Sequence, residues 1–438
     1  MRAVGTRSNL SGTLLILALL VASVPAEAQV AGASAAALGM GDNYTALARG
    51  RNATAWNPAN HALPDGPGFS ISFAPIRAFA GISPVTLSDL AAFDGVLIPD
   101  AAKNEWLGMI AAEGRQRGEF GASFTALSLN IGRLGVQVSS TVEGRMDLGP
   151  DAAEILLFGN AGRTGDPRDL RLEGSGFDAA ATTTVAVSYA VPLPTLAALL
   201  PGEHIAIGAT VTRTVGNGLI SAADNGSAAT TDPLELGLAF PIIHTDTTFN
   251  FDSGSGYGLD VGAAWQGGPL TLGLVVYNLV NTFEWDAESF QYRRGTAMFR
   301  PDTSYTSFDA EPIAAAPDEV RSRAEALVED LRYETSLAIG AALQLLPNLT
   351  ISADIRRRLS ERLEIVGPAT HAGIGAEFRP LSFLPIRAGV TTLTGGRQYS
   401  GGFALDFGVI NLGVAAAHRT TELGEGVAGM LSLSFGGN

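Results

Sequence analysis

Ile410-Asn411-Leu412-Gly413-Val414-Ala415-Ala416 alternates strictly, with Ile410, Leu412, Val414 and Ala416 on one face of an extended chain and Asn411, Gly413 and Ala415 on the other. One face is oily and the other small or polar. The last stretch of the chain repeats the pattern, Leu431, Leu433 and Phe435 opposing Met430, Ser432 and Ser434. So do Leu349–Arg358, where Leu349, Ile351, Ala353 and Ile355 oppose Thr350, Ser352, Asp354 and Arg356, and Thr370–Arg379, where Ile374, Ala376 and Phe378 oppose Gly375, Glu377 and Arg379. A soluble sandwich and a membrane barrel share this period, so the connections must separate them.

Strands are predicted near 67–80, 117–131, 133–145, 179–192, 203–216, 256–266, 269–281, 333–345, 349–359, 370–379, 383–393, 397–408, 409–419 and 427–436. Connections after the even-numbered strands are short, such as Gly132, Gln266–Pro269, Leu346–Asn348, Pro380–Ser382 and Phe407–Val409, with Leu193–Gly202 longer but compact. Those after odd-numbered strands are mostly longer. Short turns at one rim and long loops at the other predict an all-β fold, an antiparallel transmembrane barrel of about 14 strands with both termini periplasmic. Two of the long loops carry helical spacing: Val85–Glu113 in two pieces, the second with Trp106, Leu107 and Ile110 on one face, and Pro317–Leu331 with Val320, Ala324, Leu327 and Leu331. Glu284–Arg332 holds eleven Asp and Glu against six Arg, which fits a solvated outer loop.

Composition agrees with lipid contact through strands. Only 16% of the 438 residues are charged, and the chain has 53 glycines. Low charge without a long apolar run is what alternation produces, because each lipid-facing residue is diluted by a lumen-facing neighbour. Arg2, Arg7, the apolar run Thr13–Val24 and the small-residue site Ala26-Glu27-Ala28 make 1–28 a predicted signal peptide. No later stretch approaches the roughly 18 apolar residues of a transmembrane helix. A net charge of −15 argues against nucleic acid as a partner. The chain contains no Cys, so disulfides and thiolate metal sites are excluded.

Ahead of the strands lies Ala36-Ala-Leu-Gly-Met-Gly-Asp-Asn-Tyr-Thr-Ala-Leu-Ala-Arg-Gly-Arg-Asn-Ala-Thr-Ala-Trp-Asn-Pro-Ala59, built mostly from small residues, with Pro58 forcing Asn57 out of the helical region. Small side chains let a backbone run close against a wall, so the strands are expected to enclose this segment. Its Gly39-Met40-Gly41, Tyr44-Thr45-Ala46-Leu47-Ala48 and Asn57-Pro58-Ala59 resemble the N-terminal hatch of the FadL-type outer-membrane transporters of hydrophobic compounds. That wider group includes PorV-like barrels associated with type IX secretion. His371–Pro380, Leu384–Gly389 and Leu431–Phe435 resemble the group's closing strands. Asn60 stands where glycine is usual, Asn52 where an acid is common, and Gly-Gly-Asn follows Phe435.

The resemblance implies a hatch over 29–66, with Gly39, Met40, Gly41, Tyr44, Trp56, Asn57 and Pro58 as its marked residues, and a barrel over 67–438. It implies an outer-membrane location and barrel-assembly machinery and membrane lipid as partners. Two functions follow from it: hatch-gated diffusion of small hydrophobic, fatty-acid-like molecules, with lateral exit at a strand kink such as Pro75, or a PorV-like scaffold for secretion or surface attachment. Independently of any family, alternation aims Asp260, Asp354, Arg356, Glu377, Arg379, Arg387 and Asp406 into the lumen, where charges must be paired or wetted. A ladder of ion pairs is predicted, holding the barrel and its plug or lining a solute path. No catalytic residue, metal or cofactor is indicated: the five His are dispersed and there is no Gly-x-Ser-x-Gly elbow. A barrel enzyme would need a pair such as His371 with Thr370 or His418 with Thr420.

Overall fold

The computed structural model describes residues 30–32, 34–159, 163–164, 166, 168–194, 204–231, 234–245, 253–300, 302–359, 369–421 and 424–436. The predicted signal peptide 1–28 and most of the connection 193–202 lie outside these residues.

Fourteen antiparallel strands form a closed barrel. They are β1 Phe69–Ser83, β2 Gln116–Ile131, β3 Leu134–Leu148, β4 Gly176–Pro192, β5 His204–Ala223, β6 Gly254–Gly267, β7 Leu270–Asn281, β8 Ser336–Leu346, β9 Leu349–Arg358, β10 Thr370–Leu381, β11 Leu384–Leu393, β12 Gly396–Asp406, β13 Ile410–Thr420 and β14 Glu425–Gly436. Each pairs with its sequence neighbour, and β1 pairs with β14 from Ser70↔Gly436 to Ile82↔Glu425, which closes the ring and leaves no edge. Each predicted strand corresponds to one of these. The main differences are at the long-loop end, where β4 begins at Gly176 and β5 runs on to Ala223.

Alternation sorts the two faces. Ile355, Ile374 and Leu431 are 62%, 61% and 61% exposed, while Asp354 and Ser434 beside such residues are 2% and 1% exposed. A continuous apolar outer surface of this kind is stable only against lipid.

The long loops carry structure. The N-terminal segment holds the short helices α1 Ala35–Gly39 and α2 Ala53–Trp56; the long loops hold α3 Leu87–Ala91, α4 Asp100–Glu113, α5 Pro150–Phe158 and α6 Asp318–Asp330. Helix α4 buries Trp106, Leu107 and Ile110 against Ala153 of α5, and α6 buries Val320, Ala324 and Leu327, the faces their spacing predicted. Helix α5 was not anticipated. Neither was the small sheet of Leu170–Arg171, Ala228–Thr231, Leu234–Ala239, Thr296–Arg300 and Thr303–Ser307, whose strands are too short to show a period.

Candidate functional site

The N-terminal segment is built on tight turns. Gly41 adopts φ +69°, a left-handed conformation that glycine tolerates, and Asp42 follows at φ 61°. Asn57 is extended at φ −156°, caps the turn Pro58–Ala62 and accepts from the Ala59 amide at 3.0 Å. From Ser34 to Leu63 nearly every residue is buried.

Its partners are the inward faces of strands around the ring. Ala35 N–H donates to Ser432 of β14 at 3.3 Å, and Arg51 N–H to Ser70 of β1 at 2.9 Å. Thr54, His61 and Ser188 of β4 meet at 2.8 to 3.2 Å. Asn57 donates to the Ala263 carbonyl of β6, and Thr391 of β11 to the Gly41 carbonyl at 2.6 Å. Two glycines of the wall make room: a Cβ on Gly208 would fall 2.5 Å from the Pro58 carbonyl carbon, and one on Gly389 2.2 Å from that of Met40.

Charge fastens the centre of the segment. Arg77 of β1 donates to both Asp42 oxygens at 3.0 and 2.7 Å, with the two side chains 6% and 0% exposed, and Gln398 adds a third contact at 3.2 Å. Asp354 Oδ2 accepts from the consecutive amides of Tyr44 and Thr45 at 2.9 and 2.8 Å. Tyr44 meets Trp56 edge-on, and the Arg356 guanidinium lies 5.1 Å over the Trp56 ring. Burial without a charged partner holds His61 down to about 4, so it is neutral.

The predicted polar ladder divides. Glu377 bridges Arg379 at 2.8 Å and Arg387 at 2.7 Å, and Arg379 approaches Asp406 at 3.6 Å. Asp354 and Arg356 belong instead to the N-terminal segment. Asp260 stands apart on β6, accepting from the Asn278 amide at 2.7 Å where β7 bulges. Of the marked hatch residues, Gly39 lies against Arg387 and Gly402, and Met40 is fully buried. Sequence reasoning missed Asp42, Asn43 and Arg77; the signal was the polar pair interrupting a small-residue run.

Two cavities flank the segment. At the short-turn end one of about 880 Å³ is lined by Arg49, Asp65, Glu377, Arg379 and Asp406 among others, a polar vestibule. At the long-loop end one of about 340 Å³ lies between the tops of β3–β5 and α6, lined by Arg145, Asp178 and Arg323 among others. Beside it the mouth is filled by apolar side chains: Phe283, Trp285, Phe290, Ile243 and Leu219 pack with α6, and Trp285 lies over Gly216. Arg323 Nη2 donates to Ser221 at 2.6 Å and stands 3.9 Å from Asp178, tying α6 to the wall.

The wall is irregular at one height. Ala74 of β1 has φ 53° and is followed by Pro75, which has no N–H to give. Pairing of β1 with β2 lapses between Ser72↔Ser128 and Ile76↔Phe124, its register against β14 slips between Phe73 and Ile76, and β2 slips against β3 between Thr125 and Leu127.

The enzyme pairs do not form. His371 points inward to Asn43 at 3.2 Å while Thr370 points outward to Thr394. His418 pairs with Glu425 at 3.0 Å, and among the described residues no hydrogen bond joins it to Thr420. Among the described residues there is no metal-ligand cluster.

Strand number, closure, lipid-facing belt and loop asymmetry define the class: an outer-membrane β-barrel. No family model matches the chain, and no curated protein matches it in sequence. Among solved structures it is similar to the Ralstonia pickettii toluene transporter TbuX, with 12% identity over 94% of this chain and 100% of that one and a TM-score of 0.51. It is also similar to the TodX deltaS2S3 mutant monoaromatic hydrocarbon channel, with 12% identity, 93% and 99% coverage and a TM-score of 0.50. The chain has the FadL-type outer-membrane barrel fold.

Proposed function

We propose that this chain passes small hydrophobic, fatty-acid-like molecules across the outer membrane by hatch-gated diffusion, without catalysis. The observation that carries this is the apolar cluster of Phe283, Trp285 and Phe290 inside the long-loop mouth, above a lumen occupied by the N-terminal segment. These side chains are packed against α6, so when α6 lifts they offer an apolar solute a dry first site and a hydrated one nothing. The solved structures of similar fold are described as toluene and monoaromatic hydrocarbon transporters or channels, which agrees.

In this mechanism residues 29–66 are the hatch. It is held by many small contacts and few charged ones, so displacement breaks little apolar packing. The short-turn vestibule is lined by charges, a poor exit for an oily solute. The irregular wall at Phe73–Ile76 provides the other route, sideways into lipid, next to the Asp42–Arg77 pair that a hatch shift would move. The same charged vestibule favours the second reading, a PorV-like scaffold whose periplasmic end receives a protein.

The test exploits the Cys-free chain. With Ala35→Cys and Gly413→Cys the two Cβ atoms lie 3.1 Å apart, close enough for a disulfide after a small shift. Uptake of labelled dodecanoate or toluene by proteoliposomes is expected to be low when this pair is oxidised and to return on reduction. Equal uptake in both states would remove hatch gating, and no uptake by the unaltered barrel would leave the scaffold.

A further inference from the structure

The lipid-facing wall carries arginines in one band. Arg357 on β9 and Arg397 on β12 both point outward and are exposed. Register places them near one height: Arg357 pairs with Thr370, while Arg397 lies between Thr392 of β11 and Thr420 of β13. Below them the same strands present Ile355, Ile374, Val390 and Tyr399, 62%, 61%, 51% and 49% exposed. Further down come Phe378, Ile386 and Phe403, with no outward charge as far as the short turns. The cations are therefore confined to the upper edge of the belt, at the long-loop end, which in such barrels faces outward.

Neither guanidinium has a hydrogen bond or ion pair among the described residues, whereas the inward Arg77, Arg379 and Arg387 are each paired with a carboxylate. In a chain of net charge −15, acids for pairing are plentiful. Two arginines without one, at the boundary of a hydrocarbon belt, match an anion supplied by the lipid itself. Guanidinium takes phosphate through paired donors. With β10 and β11 between them, the two Cα positions lie about 14 Å apart at the usual strand spacing. Thr370, Thr392 and Thr420, all exposed, supply hydroxyls along the same strip.

We propose that the outward face of β9–β12 binds a bisphosphorylated glycolipid of the outer leaflet, Arg357 and Arg397 each holding one phosphate while the acyl chains lie along Ile355, Ile374 and Val390. This rests on the barrel fold and is independent of what passes through the lumen.

Native mass spectrometry of the full barrel in nonionic detergent, titrated with bisphosphoryl lipid A and its monophosphoryl form, tests this. The unaltered protein is expected to retain the bisphosphoryl lipid at least tenfold more tightly than the monophosphoryl one. Arg357→Gln with Arg397→Gln should lower that affinity tenfold or more, taking the contribution of two arginines at a charged membrane surface. The double Lys variant, which keeps the charge but loses the paired donors, should keep only part of it, and Arg133→Gln at the opposite rim all of it. Unchanged heat-modifiable mobility certifies folding of each variant. Equal retention of the two lipids, or an unaffected Gln double variant, would overturn the proposal.

Discussion

Asp354 and Asp42 hold the N-terminal segment by different means. Asp354 accepts two backbone amides, so its partners survive any side-chain change in the segment. Asp42 is matched to a single guanidinium in a site closed to water. Removing one member of a buried pair strands the other, at a cost of about 3–5 kcal/mol. Asp42→Ala is therefore expected to lower urea stability by that order, and combining it with Arg77→Met should recover much of the loss, as a double-mutant cycle would measure.

His61 makes stability depend on pH in a predictable sense. Its folded value of about 4 lies below its ordinary 6.5, so the unfolded chain binds a proton in that window and the folded one does not. Stability from this group is present above pH 6.5 and is lost as pH falls toward 4. His61→Gln should flatten the pH dependence of the unfolding midpoint between pH 6.5 and 4; an unchanged slope would place the effect elsewhere.

At the scale of elements, α6 is the part most open to rearrangement. Asp318 and Glu319 in its first turn suit the helix dipole, but it joins the wall through few polar contacts, with Arg323 central among them. Arg323→Ala is expected to raise amide exchange across 313–331 while leaving strands β3–β5 protected. The α4–α5 pair is fastened separately, Trp106, Leu107 and Ile110 packing on Ala153, while Arg168 beyond α5 joins its Asp151 at 2.9 Å and Glu154 at 2.5 Å and holds the Glu154 carboxyl below its usual range. Loosening α6 should therefore not spread to it.

For the whole molecule, the consequence of closure is a full lumen. The strands leave no edge, the N-terminal segment contacts their inner faces, and aromatic side chains fill the upper mouth. Deleting 30–66 should leave a barrel that still shows heat-modifiable mobility but conducts ions steadily in planar bilayers, where the intact chain stays closed. A closed deletion variant would show that the loop cluster alone seals the mouth.

The period-two pattern determined the architecture: each strand of the ring was legible because a lipid-facing side chain and a lumen-facing one cannot exchange roles without exposing charge to hydrocarbon. Loop helices with a wide apolar stripe, such as α6, were legible for the same reason. Strand-length pieces such as Thr303–Ser307 were not, since a few residues carry no period. The inward direction of Asp260, Glu377 and Arg387 followed from parity, but their partners did not. Parity fixes which face a residue occupies, whereas the meeting of Arg77 with Asp42, of His371 with Asn43 and of Asp354 with the Tyr44 and Thr45 amides depends on how the N-terminal segment threads the closed ring. Only the tertiary structure decides that, because those contacts join residues 35 to 328 positions apart through a lumen that exists only once β1 has paired with β14.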